Sequence, residues 1–125
     1  MQYVDFEGCQ FQHLTSLDLS DNQITVVRNL DRLSSLETLI LDGNSLSKGF
    51  KVEREMPRLT FLSLRNCYLE QLDVSLFPNL KHLNLDDNRL PTIQDISKLK
   101  NLLTLSMERQ TLPKSTPFKI GRAHV

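Results

Sequence analysis

Three histidines and two cysteines are the side chains with which this 125-residue chain could hold a metal ion or arm a nucleophile. His13, His82 and His124 lie far apart, and the two cysteines, Cys9 and Cys67, are too few for a disulfide framework. The stretch Asp18–Gln23, DLSDNQ, carries the paired acids of a calcium loop but lacks its turn glycine and its distal glutamate. No phosphate-cradling glycine loop, dinucleotide fingerprint, G-x-S-x-G elbow or H-E-x-x-H pair is present. The expectation is a chain with no catalytic residue, no cofactor and no metal. The chemistry left to it is recognition, and that depends on how the remaining side chains are held.

What holds them is a repeat. The pattern L-x-x-L-x-L-x-x-N-x-L starts five times, at Leu14, Leu36, Leu59, Leu80 and Leu102, with offsets of 22, 23, 21 and 22 residues. The first unit places Leu14, Leu17, Leu19, Asn22 and Ile24 in the frame, and the third places Leu59, Leu62, Leu64, Cys67 and Leu69. This resembles the leucine-rich repeat. The resemblance implies an α/β repeat solenoid, a horseshoe with a parallel concave β-sheet and an irregular, 3₁₀ or short helical convex side. In such a frame each L-x-L is a short strand with alternate residues facing inward. Parallel strands about 4.8 Å apart would line roughly 20 Å of concave surface.

After each strand the chain bends sharply and buries backbone polar groups. A carboxamide carries donors and an acceptor and can satisfy them, so Asn22, Asn44, Cys67, Asn88 and Gln110 are expected to form a structural ladder between coils. Cys67 reads as a tolerated variant within it, not as a reactive thiol. On the convex side Val27, Leu30 and Leu33, and again Ile93, Ile96 and Leu99, recur every three residues and suit a 3₁₀ or helical turn. The stretch SKGFKVEREMPR (47–58) breaks that rhythm and reads as a longer, more exposed loop.

Residues between the leucines are expected to face solvent from the sheet. They form the columns Ser16, Thr38, Phe61, His82, Thr104 and Asp18, Ile40, Ser63, Asn84, Ser106. Beyond these come Ser20, Asp42, Arg65, Asp86, Glu108 and then Asp21, Gly43, Asn66, Asp87, Arg109. Ile40 and Phe61 make a small apolar spot, ringed by acids with only Arg65 and Arg109 opposing them. The expected protein-binding face is Asp18, Ile40, Asp42, Phe61, Ser63, Arg65, His82, Asn84, Asp86, Asp87 and Glu108. Its partner would be a protein with a basic, partly apolar segment.

Fifteen basic residues balance fifteen acidic ones, so the overall charge gives no ground for expecting nucleic acid as a partner. The apolar runs are too short for a membrane span. No Asn-x-Ser/Thr acceptor occurs and cysteines are few, which agrees with a reducing, cytoplasmic setting. Residues 1–13 read as a partial preceding repeat or edge, 14–112 as five repeats, 113–119 as a truncated linker and 120–125 as a translated sequencing adapter.

NQITVVRNLDRLSSL (22–36) and NRLPTIQDISKLKNL (88–102) resemble the intracellular leucine-rich repeat class typified by the regulatory subunit of protein phosphatase 1. LDVSLFPNL (72–80) and LSMERQ (105–110) are similar to repeats of the fungal spindle-pole scaffold of the septation-initiation and mitotic-exit network, a relative of centriolin. The second likeness implies a non-catalytic scaffold at the spindle pole body or centrosome, assembling a small GTPase and kinases. The first implies a phosphatase regulatory subunit. A receptor ectodomain fragment is the third reading. The adapter reading makes its own prediction. Lys119–Val125 corresponds to the bases AAG-ATC-GGA-AGA-GCA-CAC-GTC, of which all but the first belong to the adapter, and resequencing the locus is expected to find other codons in place of Ile120–Val125. Genomic DNA encoding IGRAHV there would sink it.

Overall fold

The computed structural model describes residues 2–93 and 95–112. The expected linker 113–119 and adapter segment 120–125 lie outside the described residues. Seven three-residue strands occur among them: β1 Tyr3–Asp5, β2 Ser16–Asp18, β3 Val26–Arg28, β4 Thr38–Ile40, β5 Phe61–Ser63, β6 His82–Asn84 and β7 Thr104–Ser106. Five build one parallel sheet in the order β2-β4-β5-β6-β7, and β1 pairs with β3 in a separate two-stranded sheet. The chain is thus a parallel-strand solenoid of the leucine-rich repeat horseshoe kind. Its helical content among the described residues is two 3₁₀ turns, Leu30–Arg32 and Ile96–Lys98.

Register follows the repeat. Leu17, Leu39, Leu62, Leu83 and Leu105 stand opposite one another across the five strands. The inner three are sealed: Leu39 and Leu62 have no exposed surface and Leu83 has 2%. The flanking leucines close the core above and below, with Leu36, Leu41, Leu59, Leu64, Leu80 and Leu85 all buried. Each such side chain withdrawn from water contributes about 2 kcal/mol. The 47–58 loop is less exposed than its charges imply. Phe50 and Met56 are buried within it, and the Phe50 ring lies 6.1 Å from that of Phe77 in the next coil.

Pairing runs on past the strands into the bend. The N–H groups of Asp21, Gly43, Asn66 and Asp87 donate to Asp42, Arg65, Asp86 and Glu108 carbonyls, each in the following coil. All four, and Arg109, sit at positive φ, between 54° and 76°. Left-handed backbone here swings the next side chain into the bend. Gly43 is doubly suited to it, because a Cβ at that position would also meet the Asp21 carboxylate.

The side chain swung inward is the ladder residue. Asn44 Oδ1 accepts from the N–H groups of Asn22 (3.0 Å) and Ile24 (2.9 Å), while its Nδ2 donates to the Leu19 and Leu41 carbonyls. Asn88 repeats this two coils on, accepting from Cys67 and Leu69 N–H and donating to Leu64 and Leu85. Gln110 reaches Leu90 N–H and Leu85 O with its longer arm. Asn22 donates only within its own coil, to Leu19 and Ser20.

Cys67 cannot accept as an amide oxygen does. The Leu46 N–H that would have bonded a carboxamide goes to the Cys67 backbone carbonyl instead, at 2.9 Å. The Sγ lies 3.1 Å from the Leu41 carbonyl, to which its S–H donates. Burial pushes the Cys67 thiol up to about 11, against the smaller pull of the Asn44 and Gly43 N–H groups facing the sulfur.

Two expected outcomes follow from these contacts. Asn44→Ala strands two buried N–H groups and lowers stability by about 3 kcal/mol, read as a shifted urea midpoint at unchanged slope. A loss under about 1 kcal/mol would show that water replaces the carboxamide. Cys67, buried and held as thiol, resists iodoacetamide at pH 8 in the folded chain and reacts in urea, as intact mass spectrometry reads.

Candidate protein-binding surface

The concave sheet presents two side-chain rows. In the first, Ser16, Thr38, Phe61, His82 and Thr104 stand in register. Phe61 is 36% exposed, high for its size. Its ring lies 6.0 Å from the His82 ring at a tilt of 47°. His82 Nδ1 is 2.8 Å from Thr104 Oγ1, which fixes the imidazole against its neighbour strand. Ile40 in the second row is half-buried, one strand over from Phe61 and directly beside Asp18. Sheet register therefore brings Asp18, Ile40 and Phe61 together.

Two residues expected at the surface are instead withdrawn from it. Ser63 is 5% exposed and Asp86 8%. The reason is a carboxylate clamp between coils. Asp42 Oδ1 accepts from Ser63 Oγ at 2.7 Å and from Arg65 N–H at 2.8 Å. Asp86 Oδ1 does the same with Ser106 Oγ at 2.6 Å and Glu108 N–H at 2.8 Å. These acids close off one coil against the next, and part of their charge is used in doing so. Asn84 acts locally, its Oδ1 accepting from Asp86 N–H. Asp18 does likewise with Ser20, and those bonds hold its carboxyl below the usual range.

The acids at the far end are met by Arg109. Its guanidinium grips Asp87 with two bonds, Nε to Oδ1 at 2.7 Å and Nη2 to Oδ2 at 3.1 Å. Nη1 also reaches Glu108 at 3.1 Å, and Asp86 lies 3.8 Å away. The Arg109 bond holds the Asp87 carboxyl below its ordinary value. The expected acidic ring is therefore uneven. It is offset by Arg109 at the β7 end and open at the β2 end, where Asp18 and Asp21 are exposed. A shallow groove of about 460 Å³ beside the sheet is lined by Asp21, Asp42, Gly43, Arg65, Asn66 and Asp87.

Sequence reasoning missed the clamp and the left-handed column. The column was legible, because Asp21, Gly43, Asn66 and Asp87 are residue types that tolerate positive φ. Asp42–Ser63 and Asp86–Ser106 recur at spacings of 21 and 20, another signal that was available. Among the described residues, no group of three or more His, Cys, Asp or Glu is placed to hold a metal ion. No helix among them is long and apolar enough to cross a membrane.

Comparison with known proteins agrees with this geometry. Leucine-rich repeat family models match residues 6–46, and again 58–80 and 79–102. Tubulin-specific chaperone E of Danio rerio is 33% identical over 116 residues, 82% of this chain and 22% of the relative. Leucine-rich repeat-containing protein 23 of Bos taurus is 36% identical, covering 85% of the chain and 32% of the relative. U2 small nuclear ribonucleoprotein A' of Arabidopsis thaliana is 30% identical, covering 78% and 43%. The chain spans less than half the length of these curated relatives. No solved structure matches it. With the repeat, the in-register leucines and the family matches in agreement, the chain belongs to the leucine-rich repeat proteins.

Proposed function

We propose that this chain is a non-catalytic protein-interaction module whose concave face takes a basic, partly apolar segment of another protein. The observation that carries the reading is the grouping of Phe61, Ile40 and Asp18, which runs from the middle strand of the sheet to its open β2 edge. An aromatic anchor beside an aliphatic one supplies binding energy, and a neighbouring carboxylate selects a cation and steers its approach. Sheet faces of solenoids are suited to the task because they are extended and rigid. The reading places Asp86 and Ser63 in support of the face, not in contact with the partner.

In the same proposal the module serves an intracellular signalling scaffold, at the spindle pole body or centrosome, assembling a small GTPase and kinases. The likeness of residues 72–80 and 105–110 to the spindle-pole scaffold repeats supports it, and a relative named for tubulin agrees with a cytoskeletal setting. Residues 1–13 belong, on this reading, to a preceding repeat. Tyr3 pairs with Val26, 23 residues on, which is the spacing of the array itself.

A fluorescein-labelled peptide of alternating Lys and Leu tests the face. It is expected to bind with an affinity that falls as salt rises, and Phe61→Ala is expected to weaken it about tenfold. Asp18→Lys is expected to weaken it several-fold while the chain stays folded, at the small cost of the Ser20 bonds to this exposed carboxylate. Affinity unchanged by both substitutions would move the interface elsewhere.

A further inference from the structure

In the two-stranded sheet β1–β3, the far edge of β3 has no strand against it among the described residues. Val26 N–H donates to the Gln2 carbonyl, and Arg28 O accepts from Phe6 N–H, so both face β1. In a parallel pair alternate residues aim their backbone groups to opposite sides. Val27 therefore points its N–H and C=O away from β1, toward the second coil. That coil brings no strand to meet them. The residues 22 further on are Lys48–Phe50, where Gly49 turns at φ 75° and sends its N–H inward to the Leu46 carbonyl at 2.7 Å.

Between β3 and this turn lies a groove of about 610 Å³, away from the concave face. Val26, 36% exposed, offers an apolar contact on its wall, and half-buried Val52 another. Arg28, Lys48 and Lys51 line it against Asp31 and Glu53. Of those two acids, Asp31 is engaged, its Oδ2 accepting from Glu53 N–H at 3.2 Å. The Lys48–Glu70 pair is exposed and 3.5 Å long, so its ammonium can exchange to an incoming carboxylate at little cost. On the opposite edge, β1 shows what such a strand can do. It pairs in parallel, lays Tyr3 under the Arg28 guanidinium at 5.6 Å, and lends Asp5 to the Asn29 amide.

We propose that this groove receives an extended acidic segment of a partner protein, added to β3 as a third strand. Backbone pairing to Val27 supplies affinity without sequence preference, and acidic residues at alternate positions meet Lys48, Lys51 and Arg28. This interface is separate from the concave one and prefers the opposite charge.

The test titrates the 125-residue chain with labelled peptides of alternating Glu and Val or of alternating Lys and Val. Fluorescence anisotropy reads affinity and ¹⁵N NMR reads the Val27 amide. The Glu–Val peptide is expected to bind more tightly than Lys–Val at this groove, to shift the Val27 amide and to slow its hydrogen exchange. Lys48→Glu with Lys51→Glu, both at exposed positions, is expected to weaken it about tenfold. Phe61→Ala is expected to leave it unchanged, which separates this groove from the concave face. Absence of binding, an unmoved Val27 amide at saturation, or equal binding by the doubly substituted chain would overturn the proposal.

Discussion

One oxygen accepting two N–H groups from the coil before it is the contact on which the solenoid turns. Asn44 Oδ1 and Asn88 Oδ1 each do this inside a sharp bend, on N–H groups that donate to no backbone carbonyl. Leucine burial drives the coils together but is indifferent to their register. The carboxamide is not, because its two acceptor bonds and its donors fix one coil against the next to within a few tenths of an ångström. The strands are only three residues long. They have too few ladder bonds to set that alignment alone.

Cys67 shows how much the bend tolerates. With a thiol in place of the carboxamide, the main chain supplies the missing acceptor through its own carbonyl. The left-handed residue preceding each ladder position makes both solutions possible, since it decides which way the next side chain and carbonyl point. Asp, Gly and Asn take that conformation at small cost. Arg109 takes it too, at about 1–2 kcal/mol, and its guanidinium is returned to Asp87 in a two-bond grip.

The frame was readable because leucine and asparagine recur in the primary order itself. Strand positions, core and coil contacts follow from a spacing of about 22 residues and the period of two within L-x-L. The surface was harder, because exposure depends on what the neighbouring coil offers. Asp86 and Asp18 are the same residue type in adjacent columns, yet Ser106 draws one inward while the other caps Ser20. Phe50 sat among charges and read as loop surface, but Phe77 in the next coil gives it a place in the core. Such partners stand one repeat away, and a column read singly does not show them.

Almost every tie between coils joins residues one repeat apart, and none of those hydrogen bonds reaches beyond the adjacent coil. Cohesion is therefore strictly between neighbours, as in a zip. A chain so built can begin to order at any coil and extend outward, and under tension it would surrender coils serially from an end instead of yielding as one body. Its resistance to pulling is set by its weakest seam. At the seam between the second and third coils, where sulfur stands in for an amide, the bond from Leu46 N–H to the Cys67 carbonyl and the Asp42–Ser63 clamp would carry that load instead.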